Sequence, residues 1–171
     1  MKIKTAGIPT GSLIEAYLPS NYKDTFVCSF KTDKKITADD IQVAFWTLRP
    51  KWVNSLFRLR NAMVKPFGLQ ADEPDVKIIE SCVRNGTTHG MFTVTDKSHN
   101  ETVIKLSDKH LTAYMSIYLE GETNEKMLYC TTIVRLNNLL GYVYFYSICP
   151  FHYFVVKGMM RFVVNNMVKN G

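Results

Sequence analysis

The sequence lacks the short motifs that mark most catalytic and cofactor sites. It has no glycine-rich phosphate loop, no dinucleotide fingerprint and no GxSxG nucleophile motif. Its four cysteines are far apart and include no CxxC pair, so neither a zinc knuckle nor a redox motif is indicated. The four histidines are equally scattered, and no paired carboxylates stand in an apolar segment. We therefore expect no metal and no cofactor, and an enzyme is the less favoured class of protein.

Low-complexity tracts and an apolar signal-peptide core are also missing. The cysteines lie in apolar or strand-like surroundings, where a reduced cysteine acts as a small hydrophobic residue, so we expect a cytoplasmic protein. The net charge is +6, yet the lysines and arginines form no basic run interleaved with aromatic residues. A nucleic-acid partner is therefore not expected.

The 171 residues suit one domain with a sizeable core. Residues 1–21 hold two glycines and two prolines, which predicts an irregular lead-in. Residues 22–169 are predicted to form the domain itself. Side chains that alternate from Tyr22 to Phe30 predict its first strand.

Two short helices are predicted after that strand. Thr37 and Asp40 have the spacing of a capping box, and Pro50 breaks the helix that they begin. Pro50 also suits the first turn of a second helix, which is predicted from Lys51 to Phe67 and is followed by a solvated loop at 70–75.

The middle of the chain predicts an antiparallel meander. Runs of β-prone residues are separated by turn signals such as Asn85-Gly86 and Glu120-Gly121-Glu122. The predicted strands are 76–83, 90–96, 102–107, 111–119 and 126–136. With the first strand these make about six strands in hairpin succession.

The last segment, from Leu139 to Lys169, predicts one long amphipathic helix. Its second half has a polar face of Lys157, Arg161, Asn165 and Lys169, opposite an apolar face of His152, Val156, Met159, Met160, Val163 and Met167. Residues 136–156 carry no charge and could cross a bilayer by length. Polar residues are spread through that run, so a helix buried against the sheet is favoured over a membrane-spanning one. Peripheral membrane contact stays open, as does whether Pro150 kinks the helix or divides it.

The predicted fold is therefore α+β, with a curved antiparallel sheet wrapped on a long C-terminal helix and two short helices after the first strand. Several local motifs add to this element order. They are Arg49-Pro50-Lys51-Trp52-Val53, Phe67-Gly68-Leu69, Ser107-Asp108-Lys109-His110-Leu111, Val134-Arg135-Leu136-Asn137-Asn138 and Pro150-Phe151-His152. The element order resembles the helix-grip fold of START-like lipid-binding and polyketide-cyclase-like (SRPBCC) domains.

The motifs in combination resemble a bacterial family known as a domain of unknown function, whose members occur alone or fused behind short-chain dehydrogenase-like domains. The resemblance covers residues 22–168. Because the chain has no dinucleotide fingerprint, it looks like the stand-alone form. The resemblance implies the helix-grip fold but no particular activity.

Polar residues on otherwise apolar patterns are the candidates for a ligand site. His152 either points into a cavity as a hydrogen-bonding group or proton carrier, or bonds the backbone carbonyl that Pro150 frees. The ring of His110 is either oriented by Asp108, or the two residues close a hairpin turn.

Arg60 and Arg135 also fall on apolar patterns. A guanidinium that faces an interior needs a carboxylate or an anionic ligand group, since an unpaired buried charge is costly. The alternative is a buried stem with its head in water. Tyrosines could line a pocket or simply pack in the core. The predicted ligand-binding residues are Arg60, His110, Tyr114, Arg135, Tyr144 and His152.

The leading hypothesis is non-enzymatic binding of a small apolar or amphipathic molecule in a cavity between the sheet and the C-terminal helix. One alternative is a cyclase- or dehydratase-like enzyme in which His152 or His110 moves a proton, which requires two ionisable groups at one pocket. Another is an interaction module for a separate reductase, which requires an exposed apolar patch. The sequence leaves the ligand and the oligomeric state open.

Overall fold

The computed structural model describes residues 1–48, 50–64, 75–121 and 124–169, and in the second range the side chains of residues 50–56 and 58. The strands are β1 (Lys4–Thr5), β2 (Tyr22–Lys31), β3 (Thr88–His89), β4 (Phe92–Lys97), β5 (Glu101–Ser107), β6 (Leu111–Glu120) and β7 (Glu125–Leu136). The α-helices are α1 (Ala38–Thr47), α2 (Lys51–Val64), α3 (Val76–Asn85) and α4 (Leu139–Lys169). A 3-10 helix, Leu13–Tyr17, is called the lead-in helix below.

The seven strands in the described part of the chain form one open antiparallel sheet in the order β1-β2-β7-β6-β5-β4-β3. The predicted α+β architecture is confirmed, with short helices after the first long strand and a long helix at the end. The first and last long strands are neighbours, since Tyr22 pairs with Val134 and Lys31 with Glu125. This pairing lays β2 beside the chain that leads directly into α4.

The predicted break at Pro50 is confirmed, with α1 ending at Thr47 and α2 beginning at Lys51. The capping box is present too, because the Asp40 N–H donates to the Thr37 hydroxyl and the Thr37 N–H donates to the Asp40 carboxylate. The predicted end of the second helix at Phe67 and all of the predicted 70–75 loop except Asp75 lie outside the described residues.

The predicted strand at 76–83 is wrong, because these residues form α3. The apolar residues Ile79, Cys82 and Val83 are buried at helical spacing, and they pack as one stripe against the sheet. The Asp75 carboxylate accepts the Lys77 N–H as a cap, and Gly86 ends the helix in the left-handed region with φ 67°. A short run of β-prone residues fits either a strand or a helix, and the two caps decide for the helix.

The lead-in is more ordered than predicted. Besides the lead-in helix, Lys4 and Thr5 pair with Val27 and Phe26 at the edge of the sheet. A contact with a distant strand accounts for this ordered conformation. The buried Glu101 carboxylate accepts the Ser12 hydroxyl and the Leu13 N–H, both at 2.6 Å, and so holds the start of the lead-in helix on the sheet.

The two faces of the sheet are covered differently. On one face, α1 and α4 pack over a core that includes Phe26, Ile117 and Met160. On the other, the lead-in helix covers a smaller cluster built around Ile14 and Ile133. Helix α4 runs from Leu139 to Lys169 as predicted and contains Pro150 within one continuous helix. Its predicted inward residues Val156, Met159, Met160 and Val163 are buried.

Candidate functional site

Three polar side chains, Tyr22, Asp24 and His152, meet between β2 and α4, and we call them the polar cluster. The Tyr22 hydroxyl donates to Asp24 Oδ2 at 2.7 Å, and His152 Nε2 lies 3.2 Å from the same oxygen. The Tyr22 and His152 rings meet edge-on with centroids 5.9 Å apart. The Asp24 and His152 side chains are only 13% and 22% exposed, so water screens this contact weakly.

Burial sets the protonation of Tyr22. Burial first, and then the hydrogen bond to Asp24, raise the pKa of Tyr22 far above its usual value, so its hydroxyl stays protonated and remains a donor. The Cys149 thiol, on the turn of α4 before His152, acts in the same direction on Tyr22. A neutral tyrosine beside a carboxylate and an imidazole is an arrangement that can hold or pass a proton.

The cluster also contains unused hydrogen-bonding capacity. Asp24 Oδ1 and His152 Nε2 are buried, and neither makes a hydrogen bond to any residue that the structure describes. The approach of His152 to Asp24 is therefore a close electrostatic contact without the alignment of a hydrogen bond. A buried polar atom without a partner costs about 1–3 kcal/mol, so a group that bonded both atoms would gain that free energy.

A groove of about 590 Å³, open to solvent, begins at one member of the polar cluster. It is lined by Leu18, Pro19, Ser20, Asn21, Tyr22 and Lys23. Tyr22 thus connects two environments, since it lines the groove and its hydroxyl donates to Asp24. A second open groove, of about 350 Å³, lies farther along β2 beside Phe30 and the end of α4.

Two of the predicted residues, Tyr114 and Arg135, lie on the other face of the sheet. The Tyr114 ring stacks on Tyr17 of the lead-in helix with centroids 4.1 Å apart. Arg135 donates to the Tyr17 carbonyl oxygen at 2.7 Å, and its guanidinium lies 5.8 Å from the Tyr114 ring centroid. The guanidinium is therefore held by protein groups on the face opposite His152.

His110 is in the turn before β6, and its backbone carbonyl lies against Gly141 in the first turn of α4. Asp108 Oδ1 accepts the backbone N–H groups of His110 and Leu111 at 2.6 and 2.9 Å, which is the turn-closing alternative rather than an orientation of the ring. The ring Nδ1 instead lies 3.1 Å from the Asn138 amide nitrogen. Nε2 is buried and has no hydrogen-bond partner in the part of the chain that the structure describes.

Tyr144 and Arg60 are the remaining predicted residues. Tyr144 is buried on α4 at 9% exposure, and the Arg60 side chain lies outside the described residues. The His152 ring contacts the Asp24 carboxylate, a partner that neither predicted alternative names. The predicted residues whose side chains the structure describes thus lie in separate places, with Tyr114 and Arg135 on the face opposite His152, and the role of all six in ligand binding stays a prediction.

Asp24 and Glu101 are not among the predicted ligand-binding residues, although the sequence pattern indicates that both are buried. Asp24 alternates with Phe26 and Cys28 on the face of β2 that packs under α4. Glu101 alternates with the fully buried Val103 and is itself 1% exposed. A carboxylate that keeps the period of an apolar strand face is predicted to be buried and to need partners.

Within the described residues, no group of three or more His, Cys, Asp or Glu side chains has an arrangement that could hold a metal ion. A family model for a protein of unknown function, DUF2867, matches residues 17–159, more than half of the chain. The chain belongs to this family. The DUF2867 match takes in the polar cluster, the long strands and α4 as far as Met159. No curated protein and no solved structure matches the chain.

Proposed function

We propose that this DUF2867 protein binds a small amphipathic molecule whose polar end reaches the polar cluster. The observation that carries the proposal is the pair of buried atoms, Asp24 Oδ1 and His152 Nε2, that have no hydrogen-bond partner among the described residues. They lie between the sheet and α4, where the leading sequence hypothesis expects the ligand. The likeness to START-like domains is part of the same proposal and is supported by the element order.

A hydroxyl group has the chemistry that this pair requires. It can donate to the Asp24 carboxylate and accept from His152 with the same oxygen. Tyr22 is the group that would move, because it lines the groove and its hydroxyl already occupies Asp24 Oδ2. The apolar remainder of the ligand would lie along the groove and the adjoining aromatic rings of Tyr22 and Phe145, whose centroids are 4.9 Å apart.

We also propose that the protein works in the cytoplasm. The four cysteines are free, and three of them, Cys28, Cys82 and Cys130, are buried. Reduced, buried thiols suit a reducing compartment.

Native mass spectrometry of the freshly purified protein tests the binding proposal. A small molecule that bears a hydroxyl group and leaves on denaturation is expected at a stoichiometry near one per chain. Asp24→Asn and His152→Gln should each reduce its occupancy, because each alters one partner of the polar end. His89→Gln and Asp33→Asn change exposed residues away from the cluster and should leave occupancy unchanged.

Circular dichroism and thermal unfolding establish that each variant is folded before its occupancy is compared. Clean wild-type protein, or a ligand that stays bound in both folded cluster variants, would overturn the proposal.

A second function is favoured by one feature of the same cluster. Asp24 lies beside His152 within 3.2 Å, as a carboxylate that assists a proton-transferring imidazole would. A cyclase- or dehydratase-like enzyme would use His152 to remove a proton from the carbon next to a carbonyl group. Incubation of the released molecule with enzyme in D₂O should then introduce deuterium at that carbon, and His152→Gln should abolish the exchange. Unlabelled molecule after incubation with wild-type protein would exclude this function.

A further inference from the structure

The face of α4 that points away from the sheet carries a dense set of exposed apolar side chains. Half of the large hydrophobic residues exposed in the described part of the chain lie between Leu139 and Phe154. We call Tyr142, Val143, Tyr146, Phe151, Tyr153 and Phe154 the exposed helix face. Phe154 is 67% exposed and Val143 59%, so these side chains lie in water in the isolated chain. A concentration of this kind marks an interaction surface.

Trp52 of α2 extends the exposed helix face along one flank. Its side chain is 43% exposed, and its ring packs on α4 at Gly158, one turn beyond Phe154. Tryptophan and tyrosine are the side chains that concentrate at membrane–water interfaces, because each has an apolar ring and a polar edge. The aromatic composition of the exposed helix face therefore suits a membrane–water interface.

The helix itself is long and apolar enough to cross a membrane, and only 17% of its most apolar 18-residue window is buried. Its other face, however, carries Val156, Met160 and Val163 into the core beneath α1 and over the sheet. A spanning helix would have to leave the sheet and expose that core. The geometry therefore leaves α4 lying along the protein with one face free.

The charge on α4 distinguishes between the possible partners of the exposed helix face. The helix contains no Asp or Glu, and the stripe that carries Val143, Tyr146 and Phe154 continues into Lys157 and Arg161 at helical spacing. The Lys157 ammonium lies 4.1 Å from the Tyr153 ring centroid, at the border between the aromatic and basic halves. A second copy of α4 would bring no acidic group to meet these cations. An anionic surface would meet them directly.

We propose that the exposed helix face docks on the surface of a bilayer that contains anionic phospholipids. The helix lies in the plane of the interface, with Tyr146, Phe154 and their neighbours among the upper acyl chains. Lys157 and Arg161 lie at the phosphate groups. This is the arrangement of interfacial amphipathic helices, in which apolar burial and attraction to anionic lipid act together. It leaves the fold intact, since no contact on the sheet side of α4 is broken.

Co-sedimentation with vesicles tests the proposal. Wild-type protein should sediment with vesicles of equal phosphatidylcholine and phosphatidylglycerol, and much less with phosphatidylcholine alone. The double substitution Tyr146→Ser/Phe154→Ser should lower partitioning at least tenfold, because it removes two of the aromatic contacts. Lys157→Gln/Arg161→Gln should lower it by about fivefold per residue and only on the anionic vesicles.

Matched substitutions at other exposed sites provide the controls. Val76→Ser/Met91→Ser removes two exposed hydrophobic residues outside α4, and Lys4→Gln/Lys77→Gln removes the same charge as the basic pair. Both should bind vesicles within twofold of the wild type. Trp52 emission should shift to the blue on anionic vesicles, and Trp52→Phe identifies that signal against Trp46.

Three outcomes would overturn the proposal. Equal sedimentation with both vesicle types would remove the role of anionic lipid, and equal sedimentation of the Tyr146→Ser/Phe154→Ser variant would remove the role of this face. Absence of sedimentation, together with a dimer in light scattering that the same variant dissociates, would identify a second copy of the chain as the occupant.

Discussion

Gly141 lies directly against the carbonyl oxygen of His110. A Cβ at position 141 would stand 2.2 Å from that oxygen, closer than real Cβ atoms approach a neighbour. Asn138 caps the same turn, because its Oδ1 accepts the Gly141 N–H at 3.0 Å. The first turn of α4 is thereby fixed on the hairpin that leads into β6.

Gly141→Ala should therefore be strongly destabilising. The neighbour is backbone and cannot rotate away, so either α4 or the hairpin must shift, and we expect a loss of about 3 kcal/mol or more in the free energy of unfolding. Urea denaturation measures it. Gly7→Ala is the control, since its Cβ meets nothing within 4 Å, and it should change stability by less than about 0.5 kcal/mol. A Gly141→Ala protein within about 1 kcal/mol of wild type would contradict the close approach.

Gly158→Ala should destabilise the protein less than Gly141→Ala does, and the size of the loss should depend on Trp52. The added Cβ would lie 2.4 Å from Trp52 Cζ2, which is the far end of a side chain that can swing outward. We expect a loss of about 1–3 kcal/mol. In the Trp52→Ala background the same substitution should cost almost nothing, because the clash is gone. A double-mutant cycle in urea unfolding measures this coupling, and additive effects would show that the two residues do not touch.

Glu101→Ala should detach the lead-in helix. The carboxylate accepts from Ser12, Leu13 and Ser116 at 2.5–2.6 Å, and removing it leaves two buried hydroxyl donors and the half-buried Leu13 N–H without a partner. We expect a loss of about 3–5 kcal/mol in the free energy of unfolding and faster amide exchange at residues 12–17. Glu120→Gln, at an exposed carboxylate, is the matched control. Unchanged exchange in the lead-in helix would show that other contacts hold it.

The buried thiol of Cys28 makes stability depend on pH in the alkaline range. Burial raises its pKa to about 11 from 9.0, against a smaller lowering by the N-terminal amino group. Between these values the unfolded thiol has lost its proton and the folded one has not, so the free energy of unfolding falls as pH rises. In that interval the Cys28 thiol lowers the free energy of unfolding by about 1.4 kcal/mol for each unit that the pH rises.

The Cys28→Ala variant should therefore lose stability less steeply than wild type between pH 9 and about 11. Val134→Ala creates a comparable cavity in β7 without removing a titrating group, so its slope should match the wild type. Urea unfolding at a series of pH values measures both slopes. A Cys28→Ala slope equal to that of wild type would show that this thiol does not titrate as stated.

Much of the fold follows from local patterns in the sequence. The capping box at Thr37, the break at Pro50 and the bounds of α4 depend on backbone chemistry within a few residues, and each is predicted correctly. Helix α3 was predicted as a strand because short apolar runs fit either period, and its caps Asp75 and Gly86 are the features that decide.

The site could not be predicted as readily, because it depends on contacts between distant segments. His152 was identified from its place on an apolar helix face, but its partner Asp24 comes from the first long strand. The polar face of Lys157 and Arg161 predicts that Val156 points inward, and Val156 is 6% exposed. The uncharged first half of α4 has no such polar face, so the sequence does not reveal that Phe154 is 67% exposed.

The pairing of β2 with β7 means that the ribosome must finish almost the whole domain before the sheet can close. Until Val134 has emerged, Tyr22 has no partner on that side, and the apolar face of β2 at Phe26 and Phe30 still lacks α4. Pairing between segments so far apart is slow, and a nascent chain with an uncovered strand is prone to aggregate. Translation of the last third of the chain is thus the stage at which a chaperone would matter most for this protein.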